Sequence, residues 1–262
     1  MRFADVLDSL SGSGTSFTVD VSEDWRQGRS VFGGLQAALA LRAMRPFAEG
    51  LPLRVLQTTF VAPMLGATRI DVAPLRSGKT TRHVEARLSN AEGLVALVVG
   101  IFGAPRPSEV NVVPRQPRIE SAPVQPFVRA PGLPAFLAHF DVRWRRGGPP
   151  AAGLQTTESS VEVSFGESGL ATEEHVVALS DVPPPHALTM LPRLAVGSSL
   201  TWSLEILHGG EEWKLEALPL GGWRLDIDLV AARSGYTSQS VLVWGPGAEL
   251  VAISRQCMVV FA

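Results

Sequence analysis

The sequence contains almost no cysteine and no long apolar run. Its single cysteine, Cys257, cannot form a disulfide within the chain, and the five histidines lie far apart, without the spacing of zinc ligands. The longest apolar run, residues 94–104, is shorter than the roughly 20 residues that span a bilayer, and the opening residues carry no apolar signal-peptide core. We therefore expect a cytoplasmic protein with no membrane anchor, no metal site and no cofactor.

Charge of one sign and the common nucleotide motifs are also missing. The formal net charge is −2 and the two signs are interspersed, which disfavours a nucleic-acid partner because phosphate contact needs clustered lysine and arginine. Neither a Walker loop nor a G-x-G-x-x-G motif occurs. No G-x-S-x-G elbow occurs either, and the stretch 197–200 does not match one. The sequence thus disfavours a nucleotide-binding enzyme and a serine-nucleophile hydrolase.

What the chain does contain is enough apolar material for a large core, divided by a proline-rich stretch. It has 262 residues, of which 45% are hydrophobic. Eight prolines fall between residues 105 and 134, and their missing N–H donors exclude a regular helix or central strand there. We predict a linker at 105–134 between an N-terminal domain, 1–104, and a C-terminal domain, 135–262.

The two flanks of this linker resemble each other. Residues 76–104 and 233–262 both begin with Arg-Ser-Gly and share Leu-Val-Ala near the middle, at an offset of 157 and then 156 residues. Each reads as a hairpin of two long strands. Each follows a helix, predicted near 33–45 and 172–181, and two further strands, predicted at 53–61, 68–75, 198–207 and 222–233. One buried helix followed by long antiparallel strands, occurring twice, indicates an α+β fold in which each curved sheet wraps a helix.

Several segments, in order along nearly the whole chain, resemble the double-hotdog acyl-CoA thioesterase II family. They are GRSVFGGLQAALALRAM (28–44), TTFVAP (58–63), DVAPLRSGKTTRHVEARL (71–88), FDVRWRRGGPP (140–150), ALSDVPPP (178–185) and GYTSQSVLVWGPGAELVAISRQ (235–256). The resemblance implies a double hotdog, with two antiparallel sheets that each wrap a central helix. It also implies hydrolysis of acyl-CoA or related thioesters in fatty acid metabolism. Because hotdog sheets often pair through their edges, a homo-oligomer is compatible with this reading.

The resemblance also implies a catalytic site in the second half of the chain. Family members hold and activate a water with an Asp, a Thr or Ser, and a Gln, and the matching positions here are Asp181, Ser199 and Gln256. Around Ser199 the match is loosest, because the family often has an Asp two residues further on, where this chain has Thr201. Ser198 and Thr201 therefore stay open for the hydroxyl role.

Two of these residues stand out in the sequence itself. Asp181 is predicted to end a helix, where the negative end of the macrodipole disfavours a carboxylate, although Asp also commonly introduces a proline turn. Gln256 alternates with apolar residues on one strand face, and a buried amide there needs hydrogen-bond partners. At the repeat offset its counterpart is Gly100, as expected if only one of two equivalent sites kept its chemistry. A purely structural glutamine is the alternative.

The remaining candidates have equally simple structural explanations. Ser199 alternates with Thr201, Ser203 and Glu205, so a solvated strand face would also account for it. Gly33 and Gly34, at the start of the first helix, are candidates for backbone N–H donors to the thioester carbonyl, but close packing against a strand would also require small residues.

Two other functions remain alternatives to a thioesterase. A non-catalytic acyl-thioester-binding or scaffold protein could retain the same fold with a weakened site. A hotdog hydratase would need an Asp/His pair, and the sequence shows no such motif.

Overall fold

The structure is a computed structural model that describes residues 1–119, 125–126, 133–210 and 212–261. The elements of the first half are α1 (Phe3–Asp8), β1 (Ser11–Ser13), β2 (Ser16–Val19), β3 (Arg26–Gln27), β4 (Ser30–Val31), α2 (Gly33–Ala48), β5 (Leu53–Phe60), β6 (Thr68–Ser77), β7 (Thr81–Asn90) and β8 (Gly93–Gly103). Those of the second half are β9 (Gln125–Pro126), β10 (Phe140–Arg146), β11 (Glu158–Phe165), α3 (Glu173–Ser180), β12 (Val196–Ile206), β13 (Trp223–Arg233), β14 (Tyr236–Trp244) and β15 (Leu250–Phe261). Short 3-10 helices lie at Glu23–Trp25, Ala135–His139, His186–Met190 and Leu215–Ala217.

Within these residues, one antiparallel sheet of 13 strands runs through the whole molecule. Its order is β1-β2-β6-β7-β8-β5-β12-β15-β14-β13-β11-β10-β9. The strands of the two halves mirror each other about the central pair β5–β12, where Gln57 lies opposite Ser203. The predicted double hotdog is confirmed, and its two sheets join edge to edge, which the sequence did not predict.

The predicted linker is only partly described. Residues 105–119 contain neither helix nor strand, and β9 pairs with β10 at the far edge of the sheet. Residues 120–124 and 127–132 lie outside the described ranges. The domain boundaries at 104 and 135 therefore stay a prediction.

Helix α2 forms because its apolar residues cover nearly its whole surface. Leu35, Leu39 and Ala43 recur at helical spacing and are fully buried, and the helix packs on β6, β7 and β8. It continues past the predicted end at residue 45, with Pro46 in its last turn, and stops where Glu49 adopts a left-handed conformation. No helix in the described ranges is long and apolar enough to cross a membrane.

Helix α3 is short and is defined by strong signals at both ends. At its start, Thr172 and His175 form a capping box, in which the Thr172 side chain accepts the backbone N–H of His175 and His175 Nδ1 accepts the backbone N–H of Thr172 at 3.2 Å. At its end, Asp181 is the C-cap residue and the prolines from Pro183 onward prevent continuation. All eight of its residues are buried, against α2 and β11.

Helices α2 and α3 pack antiparallel. A cluster of charged side chains joins the C-terminal end of α2 to the N-terminal end of α3. Arg45, near the end of α2, forms ion pairs with Glu173 and Glu174 at the start of α3, the second through Nε at 3.1 Å. Glu173 Oε1 also accepts the N–H of Leu53 at 2.9 Å. Burial acts to raise the pKa of Glu174, but the charge of Arg45, together with hydrogen bonds from Arg45, Thr172 and the Glu174 backbone, holds the pKa below its ordinary value. This cluster ties the first half of the chain to the second.

Replacing Arg45 with Met should therefore be strongly destabilising, because two buried carboxylates would lose their cation. We expect urea denaturation to show a loss of about 3–5 kcal/mol in the free energy of unfolding. Arg42→Met is the matched control, since Arg42 lies on the same helix and its ion pair with Asp8 is exposed, so its loss should be at most about 1 kcal/mol. Equal losses for the two variants would contradict the role assigned to the cluster.

Candidate active site

Asp181 lies where the C-terminal end of α3 meets the N-terminal end of α2. The residue is 9% exposed, and the backbone N–H of Gly34 acts to lower the pKa of its carboxyl group. A Cβ at Gly33 would lie 2.7 Å from Asp181 Oδ2. The negative C-terminal end of α3 disfavours the Asp181 carboxylate, but the positive N-terminal end of α2 lies beside it and favours it.

Gln256 joins Asp181 to a second candidate. As predicted, it lies on the buried face of its strand with Leu250, Ala252, Ser254, Met258 and Val260. Its Nε2 donates to Asp181 Oδ1 at 2.5 Å and lies 3.4 Å from Ser199 Oγ. One buried amide therefore brings the three residues predicted from the family resemblance together at one point.

The prediction that Ser199 shares a strand face with Thr201 is wrong, and a β-bulge is the reason. Ser199 lies opposite Met258 and Thr201 lies opposite Cys257, so Leu200 is an extra residue in the ladder. Directly opposed residues share a face, and Met258 is buried while Cys257 is half-exposed. Ser199 consequently points to the inner face, toward Gln256. The other two candidates, Ser198 and Thr201, are exposed.

Burial dominates the electrostatics of the site. It raises the pKa of Asp181 to about 7, although the hydrogen bonds from Gln256 and from the Gly34 backbone act in the opposite direction. Among the residues that the structure describes, no Lys or Arg shifts this pKa, in contrast to the Arg45 cluster at the other end of the helix pair. Burial without a compensating cation is a recognised cause of a raised carboxyl pKa.

Gly33 and Gly34 allow this close approach of the two helices. A Cβ at Gly34 would lie 2.7 Å from both the Ala178 carbonyl oxygen and Phe32 Cζ, so any side chain there would force the helices apart. Their small size thus has a packing cause. The proposed role of their N–H groups toward a thioester carbonyl stays a prediction, and in this structure the Gly34 backbone acts on the pKa of Asp181.

The equivalent position in the first half has no room for an amide. A Cβ at Gly100 would lie 2.9 Å from Met44 Sδ and 3.0 Å from Phe102 Cε2. Met44 therefore fills the space that Gln256 fills in the second half. This explains why the repeat has a glycine where its partner has a glutamine.

An apolar cavity of about 600 Å³ reaches the segments that carry Asp181 and Ser199. Val182 and Gly197, close in sequence to Asp181 and Ser199, line it, and most other walls are apolar: Phe136, Leu137, Val142, Trp144, Pro185 and Leu188. Phe136 stacks on Phe32, which precedes Gly33, with ring centroids 4.0 Å apart. Sequence reasoning missed these residues because part of the wall follows the proline-rich stretch, which was read only as a linker. No cluster of His, Cys, Asp or Glu suited to a metal ion occurs in the part of the chain that the structure describes.

Neutralising Asp181 should stabilise the protein in a pH-dependent way. The folded pKa of about 7 lies above the ordinary 3.8, so the folded state binds the proton more tightly and loses stability as pH rises between these values. A shift of one pKa unit corresponds to about 1.4 kcal/mol. Above pH 7 the free energy of unfolding of Asp181→Asn should therefore exceed that of the wild type by up to about 4 kcal/mol. The difference should vanish below pH 4. Urea denaturation at several pH values measures it, and a difference independent of pH would contradict the raised pKa.

Comparisons with known protein families match nearly the whole sequence. The model of the acyl-CoA thioesterase N-terminal domain matches residues 21–103, and that of the acyl-CoA thioesterase C-terminal domain matches residues 115–260. No curated protein matches the sequence significantly.

Solved structures resemble the fold over nearly its full length. A hot-dog-fold protein of unknown function from Alicyclobacillus acidocaldarius is 22% identical, with a TM-score of 0.85 over 99% of this chain and 98% of that one. A putative thioesterase II from Thermobifida fusca is 18% identical, with a TM-score of 0.83 over 100% and 98%. An acyl-CoA thioesterase II from Mycobacterium marinum is 16% identical, with a TM-score of 0.73 over 100% and 97%. These identities support the fold alone, whereas the two domain models together cover most of the sequence, and on that ground the chain belongs to the acyl-CoA thioesterase family.

Proposed function

We propose that the chain hydrolyses acyl-CoA-type thioesters with a water molecule that Asp181 activates and that Ser199 and Gln256 hold. Thioester hydrolysis in general follows from the family. The observation that supports this particular site is the position of the Gln256 amide, within hydrogen-bonding reach of both Asp181 Oδ1 and Ser199 Oγ.

The proposed reaction needs no covalent intermediate with the protein. Asp181 takes a proton from the water while the water oxygen bonds to the thioester carbonyl carbon. The carbon–sulfur bond then breaks, the fatty acid leaves, and the thiolate of coenzyme A takes up the proton that Asp181 accepted, which restores the base. The N-terminal end of α2, with the N–H groups of Gly33 and Gly34, supplies the positive potential near the negative charge that develops.

The raised pKa suits Asp181 to the task of a base. A base is most effective when its pKa lies near the working pH, because it is then both ionised and able to accept a proton. A carboxylate with an ordinary pKa would be ionised at neutral pH but would bind the proton of water weakly. Burial of Asp181 thus favours proton transfer at neutral pH.

The apolar cavity is the proposed place for the acyl chain. It is bordered by Val182 and Gly197, which adjoin the segments of Asp181 and Ser199, so a chain extending from the reacting carbonyl can enter it. Each methylene group buried there contributes about 0.8 kcal/mol. We therefore expect chains long enough to occupy the cavity to be better substrates than acetyl-CoA.

Asp181→Asn should lower kcat by roughly 10²–10⁴-fold, because it removes the base, and should change KM much less. Assays with acyl-CoA esters from short to long chain measure both. In the wild type, kcat should rise with pH through about 7 as Asp181 ionises. Gln256→Ala should be milder, and the double variant should lose less than the two separate effects predict, since both act on one water.

Two results would contradict this proposal. One is a fully active Asp181→Asn enzyme. The other is a wild-type protein that hydrolyses no acyl thioester, which would favour the non-catalytic acyl-binding alternative.

The β-bulge places Ser199 and Thr201 on opposite faces of β12, so substitutions at the two positions test which hydroxyl group holds the water. Ser199→Ala should lower kcat by about 10-fold or more, because the proposed water loses one of its partners. Thr201→Ala is the matched control: it removes a hydroxyl two residues away on the opposite face and should leave kcat within about twofold. Should Thr201→Ala give the larger loss, the assignment of the hydroxyl role to Ser199 would be wrong.

A further inference from the structure

The segment that carries Asp181 is a short, stiff bridge to a second anchored residue. Residues 181–186 read Asp-Val-Pro-Pro-Pro-His, and three consecutive prolines fix their φ angles near −65°. A Cβ at Gly197 would lie 2.8 Å from Pro185 Cγ, so the bridge also rests directly on β12. Because the bridge is short and has few free torsions, the position of His186 at one end restricts that of Asp181 at the other.

Both ends of the bridge are held by one pair of glutamines. Gln239 on β14 and Gln256 on β15 lie directly opposite each other in the ladder, and both are buried. Gln256 Nε2 donates to Asp181, while Gln239 Oε1 accepts the backbone N–H of His186 at 2.9 Å. Opposed residues have Cβ atoms about 5 Å apart, so the two attachments form one local unit.

The ring of His186 fixes the far end of the bridge to β11 and to the loop before it. Its Nε2 lies 2.7 Å from the carbonyl oxygen of Thr156, which can only accept, so Nε2 carries the proton. Nδ1 then accepts from the Ser159 hydroxyl at 2.9 Å. Burial lowers the pKa of His186, so the ring stays neutral and keeps both bonds at neutral pH.

We propose that Gln239 is a positioning residue for the base: through the His186 N–H and the proline bridge it sets where the Asp181 carboxylate lies against Gln256. This inference rests on the proposed function of Asp181. Among the described residues, the Gln239 side chain makes no hydrogen bond to Asp181, Ser199 or Gln256, and its bond to the His186 N–H leads to Asp181 through the bridge. Its loss should move the carboxylate and loosen its bond to Gln256.

A mutant cycle separates this role from a merely structural one. Gln239→Leu removes the acceptor at similar size, and we expect kcat with a good acyl-CoA substrate to fall about 10-fold while KM changes less than about twofold. In the Asp181→Asn background the same substitution should change the residual rate by less than about twofold, since the group it positions is gone. An equal loss in both backgrounds, or an unchanged kcat, would overturn the proposal.

Thr189→Val is the matched control. Thr189 lies in the same short helix as His186, and its hydroxyl donates a buried hydrogen bond to the Gly148 carbonyl at 2.9 Å. This variant should lower the melting temperature as Gln239→Leu does and should leave kcat unchanged. If Gln239→Leu does not fold, Gln239→Met keeps the length of the side chain without the amide oxygen and undergoes the same cycle.

A readout independent of catalysis distinguishes failure of this inference from failure of the proposed function. The Gln256 bond acts to lower the pKa of Asp181, so an NMR titration of the Asp181 carboxyl carbon should show a higher pKa in Gln239→Leu than in the wild type or in Thr189→Val. A higher pKa in a protein without thioesterase activity would support the positioning role and reject the proposed function. An unchanged pKa would reject the positioning role even in an active enzyme.

Discussion

The antiparallel packing of α2 against α3 is the interaction on which the rest of the structure depends. One helix comes from each half of the chain, and their opposite directions bring unlike helix ends together twice. At one end of the helix pair, Arg45 of α2 forms ion pairs with the buried Glu173 and Glu174 of α3. At the other end, the Asp181 carboxylate accepts a hydrogen bond from the Gln256 amide, and the Gly34 backbone also acts to lower its pKa. A single packing arrangement therefore contains both a charge cluster and a buried carboxylate whose pKa is raised.

The carboxyl groups at the two ends of the helix pair have pKa values shifted in opposite directions, because their partners differ. Glu174 is buried beside Arg45 and its pKa lies below its ordinary value, whereas no Lys or Arg of the described residues shifts the pKa of Asp181, which burial raises to about 7. Burial acts to raise both values, and at Glu174 the cation and the hydrogen bonds together reverse the outcome. Sites that perform proton transfer commonly reduce stability in this way, and the rest of the fold compensates.

The sequence predicted the fold, and the family resemblance named all three candidate site residues, Asp181, Ser199 and Gln256. The internal repeat and the periodicities of helix and strand are visible in the sequence alone, and they predicted the two helices, the hairpins and the buried face of Gln256. The bulge at Leu200 is a property of strand pairing that alternation cannot reveal, so Ser199 was placed on the wrong face. Arg45 and Glu173 are 128 residues apart, and only the folded chain brings them together. The hydrogen bond between Gln239 and the His186 N–H also joins residues far apart in sequence, so the sequence could not predict it.

The pairing of β5 with β12 has a consequence for how the site assembles. Gly34 belongs to the first half, whereas Asp181 and Gln256 belong to the second, so the site exists only when the halves are joined. Because both halves are part of one polypeptide, this joining is a unimolecular step with an effective concentration set by the connecting segment. The contact between α2 and Asp181 therefore forms without a second-order encounter, and dilution of the protein does not dissociate it.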